Sequence, residues 1–566
     1  MLKVKQDHYF DYDEITQFLE LVQKTLPGFT QLQAIGQTLE GRKIWLLSIT
    51  DLSHGDFAAK PAVWVDANTH AGEVTGAQTC LELISQLAEG ARSGEQNILR
   101  LLKLTTFYIV PRISADGSEI YLKTGHNVRS TPAAWPPARG RAQWNQKDID
   151  GDGDMLTIRK KDRAGAFKIN PHNPLLLTQR EPGDNDPDAD YYFLYEEGEL
   201  AHLRSRSHRT ESGWGLDLNR NFPFEYRPEG QQLGAGTHAL SMPEARALVE
   251  AVTERKNIFL VITLHTHGGY WLRPWGAHPD TEMNSNDLAV YKTLGEGVAK
   301  QTGYPLLNTF KDFQYIEGEF GSGHFDDWTF GHRGIISYTV ELWDVFAQFG
   351  QTFKHPTDRY FKLEASIQDK LYRWCKEKLA EKDFFVPWRP FEHPQLGPVE
   401  IGGWKPKFVV QNPPLAFLEK EVQKVTSAIL HLANSAPQIE ISVDVKPIGD
   451  ATSAAPVFTC KFHFKNSGFF GTAGSEQAKK ILVDHLPHFE LKLADGQKLM
   501  MGDEVGQLPH LNGRQRFLPW HSPQYLVMRD NTHEAELTFL VQGVGTIELK
   551  ADFFRGGICK HQVRLQ

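Results

Sequence analysis

The chain has 566 residues, enough to bury a large core and to hold two or more domains. Its 40% hydrophobic and 23% charged residues are ordinary for a globular protein. With 61 basic against 70 acidic residues the net charge is −9, which argues against nucleic acid or an anionic membrane as partner, and no apolar run nears the ~18 residues of a membrane span.

The opening, "MLKVKQDHYFDYDEITQFLE", lacks the apolar stretch of a secretory leader, so the expectation is a cytoplasmic protein or one whose leader has been removed. Residues 13–25 have helical apolar spacing and end before "LPGF". "KIWLLSIT", "AVWVDA" and "TTFYIVPR" read as buried strands, with a helical pattern around 74–88. "EARALVEAVTER" is a helix that leads into the strand "FLVITLH"; "LAVYKTLGEGVAKQTG" is helical, and "GIISYTVELW" is a strand. Alternation of this kind through about residue 350 implies an α/β fold with a mixed, largely parallel sheet flanked by helices. In such sheets the functional residues lie just beyond the strand ends.

Three stretches depart from that pattern. Residues 131–212 are rich in Pro, Gly, Arg and Asp and read as a long surface insertion. Residues 387–414 are dense in Pro and Gly and read as an ordered connector, followed by the helical "LAFLEKEVQKVTSAILHLAN". Beyond about residue 436, "IEISVDVKPI", "VFTCKFHFKN", "HFELKLAD", "AELTFLVQG" and "TIELKADFF" alternate apolar with polar residues, which implies a C-terminal β-sandwich. The expected division is therefore a catalytic domain over 1–386, a connector and helix over 387–435, and a β-domain over 436–566. Cys80, Cys375, Cys460 and Cys559 lie far apart, lack metal-type pairing, and read as reduced thiols.

Chemistry concentrates at a few strand ends. In "WVDANTHAGEVTGAQ", His70 and Glu73 stand where a buried strand gives way to a helix, and Gly72 between them favours a turn. A His and a Glu so placed can share one metal ion. Catalytic zinc commonly takes two His and one Glu and keeps one position open for water. His265, leaving the strand in "LVITLHTHGGYWLRPWG", is the candidate third ligand. Glu341, an ionisable residue inside the apolar strand "SYTVELWD", is the candidate proton acceptor. Each residue alone has a plain structural reading; the combination does not.

Here the chain resembles the zinc metallocarboxypeptidases of the pancreatic carboxypeptidase type, over roughly residues 7–350. The resemblance rests on "HAGE", "GLDLNRNFP", "LHTHGGYWLRP" and "DDWTFGHRGIISYTVELWD", in that order. The long insertion and the "HPQLGPVEIGGW" connector look more like a large bacterial-type branch than the compact digestive enzymes. The resemblance implies one zinc held by His70, Glu73 and His265, with Glu341 as general base. It implies that Asp217 orients the His70 ring, and that Asn219 and Arg220 clamp the terminal carboxylate of a peptide substrate. Arg129, in "GHNVRS", takes the place of the arginine that stabilises the developing oxyanion.

Two positions depart from the family. Its mobile tyrosine should fall near residue 319, where this chain has Glu319, with Tyr315 the nearest phenol; either Tyr315 replaces it through a shifted loop or the role is absent. His267 stands where the family usually has a tyrosine, and reads as a packing or cleft residue rather than a fourth ligand. Asp326 falls at the place that lines the floor of the pocket for the last side chain, where an acid would favour Lys or Arg ends. The other reading of Asp326 is a turn cap, or a partner of His324 or Arg333. In the insertion, Asp148, Asp150, Asp152 and Asp154 reproduce the start of a calcium loop, but Arg159 stands at the final acidic position. A structural calcium site and a metal-free Asp-rich turn both remain open. Two other functions also remain open: a zinc amidohydrolase acting on murein-type peptides or N-acyl amino acids, and a peptide-binding protein without catalysis.

Overall fold

The computed structural model describes residues 2–132, 143–200, 211–212, 215–316, 318–449, 455–482, 485–514 and 532–566. Parts of the expected insertion, residues 133–142 and 201–210, thus lie outside the described residues. At the centre stands an eight-stranded sheet. Its order is Thr30–Gln37, Lys43–Ile49, Thr106–Val110, Ala62–Ala67, Ile258–Thr266, Ile336–Leu342, Tyr270–Arg273 and Leu306–Asn308. The third to sixth of these run parallel, and the outer strands add antiparallel pairings, so the sheet is mixed with a parallel heart.

The parallel strands are buried on both faces, which is why they read as continuous apolar runs. Strand periodicity assigns the two sides. Val63, Val65 and Ala67 join Leu260, Ile262 and Leu264 in one core cluster, with residues of helices Thr75–Ser93, Ser285–Thr302 and Leu415–Ala433. Trp64 and Val261 join the other, under helix Pro243–Glu254 and beside Phe325 and Trp328. Fully burying each such large apolar side chain contributes about 1.5–3 kcal/mol. Asp66, Thr263 and His265 have the same parity as Trp64 and Val261, so the sheet sends them to one side.

The insertion and the connector build a sheet together. Its six antiparallel strands run Phe385–His393, Gly397–Trp404, Thr157–Lys161, Tyr191–Glu196, Phe167–Asn170 and Asn173–Gln179. The boundary expected at residue 386 therefore falls inside a strand, and the described middle of the insertion is β-structure. Arg159 explains part of the disguise: its guanidinium lies 4.9 Å from the Tyr192 ring centroid and 4.4 Å from that of Trp388, so a charged residue packs like an apolar one.

The C-terminal strands form two four-stranded sheets that share a core including Phe458, Phe462, Phe489, Phe539 and Leu549. This unit grips the sheet domain through polar contacts. Asp287 accepts from the backbone N–H groups of Glu476 and Gln477 at 2.8 and 2.9 Å. Arg555 donates to the carbonyls of Arg333 and Gly334, capping the C-terminus of helix Phe325–Arg333. Among the described residues no helix is long and apolar enough to cross a membrane.

Candidate metal centre and substrate cleft

The sheet delivers the site from three adjacent parallel strands. Ala62–Ala67 ends at Asn68, whose φ of 59° turns the chain into the His70–Glu73 loop before helix Thr75–Ser93 begins. His265 sits near the end of the neighbouring strand, and the parallel register places Glu341 directly beside it. His70, Glu73 and His265 are all buried, and each offers a ligand atom within 4.8 Å of the others. Glu73 meets His70 Nδ1 at 2.8 Å through one oxygen and His265 Nδ1 at 2.9 Å through the other.

The two histidine Nδ1 atoms face each other at 3.1 Å. Two neutral ring nitrogens gain little from such an approach unless a cation or proton lies between them. The far side of each ring offers an oxygen that can take the ring proton. Nε2 of His70 faces Asp217 at 3.0 Å, and Nε2 of His265 lies 3.5 Å from the Thr263 hydroxyl. Donation from Nε2 to these oxygens leaves both Nδ1 lone pairs aimed at one point. Two imidazoles and one carboxylate so arranged are the donor set that suits zinc with a position left open.

Electrostatics follow from this crowding. In spite of burial, His70 and His265 hold the Glu73 carboxyl well below the usual range. Asp217, although buried, is likewise held down, chiefly by Arg129 and His70. Against burial and the nearby Arg129, the carboxylates of Glu73 and Asp217 raise His70. Glu341 is pushed up to about 8 by burial and by its neighbour Glu73. A cation among the three ligands would offset that repulsion.

A layer behind the histidines was not legible in sequence. Asp66 accepts from Thr263 Oγ1 at 2.6 Å and from Trp64 Nε1 at 2.7 Å, so Asp66, Thr263 and His265 form a chain across two strands. Burial pushes the Asp66 carboxyl up to about 6, against the two bonds it accepts. The sequence signal was only an acid inside the otherwise apolar "AVWVDA".

The remaining expected residues surround the centre. Arg129 donates through Nε to Asp217 at 3.0 Å, and its Nη1 lies 3.5 Å from Glu73. Asn219 is buried, and its Oδ1 accepts from Phe325 N–H at 2.9 Å, which leaves its amide nitrogen for a ligand. Arg220 is half-buried, and the one described hydrogen bond of its side chain goes to the Asn219 carbonyl at 2.8 Å. No described acid lies within ion-pair distance of it, so the guanidinium is open to a carboxylate.

A family model described as zinc carboxypeptidase matches residues 15–152 and 189–361, more than half of the chain, and includes every residue just named. The chain belongs to the zinc carboxypeptidase family. A second model, a domain of unknown function, matches residues 441–564. The catalytic chain of human carboxypeptidase N is 32% identical over 116 residues, which cover 20% of this chain and 25% of that one. Human carboxypeptidase D is 31% identical over 353 residues, covering 57% of this chain and 20% of that one. The chain thus spans about a quarter or less of the length of these two relatives. Thrombin activatable fibrinolysis inhibitor, a solved structure, is 16% identical, with 76% of this chain and 74% of that one covered and a TM-score of 0.43.

Within this zinc carboxypeptidase-family chain, the structure bears on the open alternatives. The Tyr315 ring is nearly half exposed and stands against Phe313, Tyr360 and Phe361. Its phenol is pushed up to about 12 by desolvation, against the pull of Arg129. His267 stacks edge-on with Tyr360 at 5.0 Å, is absent from the metal-capable group, and is lowered to about 4 by burial and Arg359.

Asp326 is buried, and one oxygen accepts from the Asp327 N–H at 3.0 Å at the start of helix Phe325–Arg333. It pairs with neither His324 nor Arg333: His324 lies 3.3 Å from Asp327 instead. With no cation at ion-pair distance among the described residues, Asp326 is pushed up to about 6, first by burial and then by Asp327.

The calcium reading of the Asp148–Asp154 loop is not supported. Arg389 takes the carboxylates of Asp150 and Asp152, and Lys405 takes Asp154 at 2.7 Å. Asp148 accepts from the N–H groups of Gly151 and Gly153 at 2.7 and 2.9 Å, and Arg159 pairs with Glu400 at 2.8 Å. The protein's own cations neutralise most of this turn, and an arginine stands where the last acidic ligand would be needed. The loop is an Asp-rich turn tied to the connector strands.

Proposed function

We propose that the chain is a zinc-dependent carboxypeptidase that removes the C-terminal residue of peptides. One observation carries the reading: a two-His, one-Glu centre stands beside Glu341, and Arg220, on the turn that also carries the His70 partner Asp217, has no acid at ion-pair distance among the described residues. His70, Glu73 and His265 hold the metal. When bound, zinc supplies Lewis-acid polarisation of the scissile carbonyl and acidifies water.

The chain's own groups do the rest. Arg220 receives the substrate's terminal carboxylate in two parallel bonds, and the Asn219 amide adds a third donor. This fixes the last peptide bond against the centre and makes the enzyme an exopeptidase. Glu341 accepts a proton from the attacking water and passes it to the nitrogen of the departing amine as the C–N bond breaks. Arg129, already oriented by Asp217, faces the negative charge that grows on the carbonyl oxygen. Tyr315 closes over the bound residue. Asp326, buried with no cation at ion-pair distance among the described residues, favours a Lys or Arg side chain in the terminal position.

The test is a pair of peptides that differ only in a free or amidated C-terminus, each incubated with and without a chelator. The free peptide is expected to lose its last residue in a chelator-sensitive reaction. Amidation leaves Arg220 unpaired and is expected to cost on the order of 2–5 kcal/mol in transition-state binding. Equal cleavage of both peptides would overturn the carboxypeptidase reading, as would activity confined to N-acyl amino acids or murein-type peptides.

A further inference from the structure

The chain that leaves the connector strand Gly397–Trp404 returns to the metal centre. Residues Lys407–Gln411 form one wide helical turn, and the next residue, Asn412, is 0% exposed. Asn412 Oδ1 accepts from the backbone N–H of Thr75 at 3.1 Å and from its hydroxyl at 2.8 Å. Asn412 Nδ2 donates to the Gly72 carbonyl at 2.8 Å and also reaches the Tyr121 phenol oxygen and the Lys407 carbonyl, each at 3.0 Å. Two hydrogens and two lone pairs are all that an amide has, so this side chain is saturated.

The atoms it holds flank a metal ligand. Gly72 directly precedes Glu73, and Thr75 lies two residues beyond it. Thr75 opens helix Thr75–Ser93, whose N-cap residue Val74 offers no side-chain bond. Its N–H is one of the orphan donors that every helix start must satisfy. Here the cap comes from a residue 337 positions further along the chain. On the Gly72 side there is no slack: a Cβ would lie 2.7 Å from the Tyr121 ring and 2.8 Å from Gln411 Nε2. The ligand turn is thus held between Tyr121 and the connector, with Asn412 pinning it on both sides of Glu73.

We propose that Asn412 is a positioning residue for the metal centre, setting where the Glu73 carboxylate stands and making the connector part of the active site. This rests on the reading of His70, Glu73 and His265 as metal ligands. Without the amide, the Gly72 carbonyl and the Thr75 N–H lose a buried partner, and the turn must shift to satisfy them. Glu73 shifts with it. Asn219 and Arg220 lie on another loop, so carboxylate binding is untouched.

The experiment uses the full chain with Asn412→Ala and Asn412→Asp. Zinc is first counted in the wild type, and its transfer to a chromophoric chelator is then timed in all three proteins, beside kcat and KM. Asn412→Ala should release zinc at least ~10-fold faster, the lower range for partners that orient ligands. Its kcat should fall while KM for a free-carboxylate peptide stays. Asn412→Asp keeps the acceptor for Thr75, loses the donor to Gly72, and should fall between. Wild-type release and kcat in a folded Asn412→Ala protein would overturn the proposal. Should that variant not fold, wild-type release by Asn412→Asp would overturn it equally. A wild type that binds no zinc defeats the ligand reading itself, and this proposal with it.

Discussion

Three donors converge on the Asp217 carboxylate: the His70 ring at 3.0 Å, the Asn219 N–H at 2.9 Å and Arg129 Nε at 3.0 Å. The first two share Oδ1, and Arg129 takes Oδ2. Asp217→Asn keeps the shape but has one acceptor oxygen. Placed at Oδ1, that oxygen serves His70 and Asn219 while the new NH2 confronts the Arg129 donor; flipped, it loses His70. The preferred orientation forfeits a hydrogen bond to a charged group, about 1.5–3 kcal/mol. It also removes the negative charge that keeps the His70 proton on Nε2 and the Nδ1 lone pair free. A 10- to 100-fold loss of zinc affinity is expected, the usual effect of removing such a partner, equivalent to about 1.4–2.7 kcal/mol. Competition against a chromophoric chelator measures it, with circular dichroism to check the fold. Unchanged zinc affinity in a folded Asp217→Asn protein would refute the orienting role.

Further perturbations separate the other roles. Glu341→Gln should keep zinc and substrate binding but lose at least ~100-fold in turnover, read from initial rates; near-normal rates would mean another base. Arg220→Ala should raise KM for free-carboxylate peptides while leaving the slow cleavage of amidated ones unchanged. With wild-type protein, Lys- and Arg-ended peptides should outrun Leu- and Phe-ended ones, and Asp326→Ile should reverse that order; a wild-type preference for apolar ends would remove only the role given to Asp326. Away from the site, burial pushes Glu244 from 4.5 to about 7. Over that window the folded state keeps a proton that the unfolded state releases, so stability should fall as pH rises from about 4.5 to about 7. Thermal melts should show the fall in wild type and less of it in Glu244→Gln.

Much of the sheet was legible because its central strands are buried on both faces. "AVWVDA" and "FLVITLH" carry apolar side chains at nearly every position, and no turn residue interrupts them. Thr30–Gln37 was not legible: it is an edge strand in which Gln31 and Gln37 are exposed and Leu32 and Ile35 only half-buried, with little apolar alternation. Tyr270–Arg273 and Leu306–Asn308 are too short to show a period. The insertion strands hid behind prolines and charges, since Arg159 packs on aromatic rings that stand far away in sequence.

The metal-capable centre was legible because His70 and Glu73 are local to one turn, while His265 and Glu341 occupy strand positions where neither residue type is expected. Asp66 was hidden as one acid in a strand, and its link to His265 exists only through sheet register. Asn412 had no local signal, because all but one of its partners, Gly72, Thr75 and Tyr121, lie far back in the chain.

The most direct test of the account is a metal titration. Purified protein, stripped by chelator, should be inactive on a peptide with a free C-terminus. Activity should return in proportion to added zinc and saturate at about one equivalent per chain, the stoichiometry of a single three-ligand centre. His70→Ala should neither bind that equivalent nor recover. Undiminished cleavage by the metal-free protein, or full zinc occupancy in His70→Ala, would contradict the assignment of the centre.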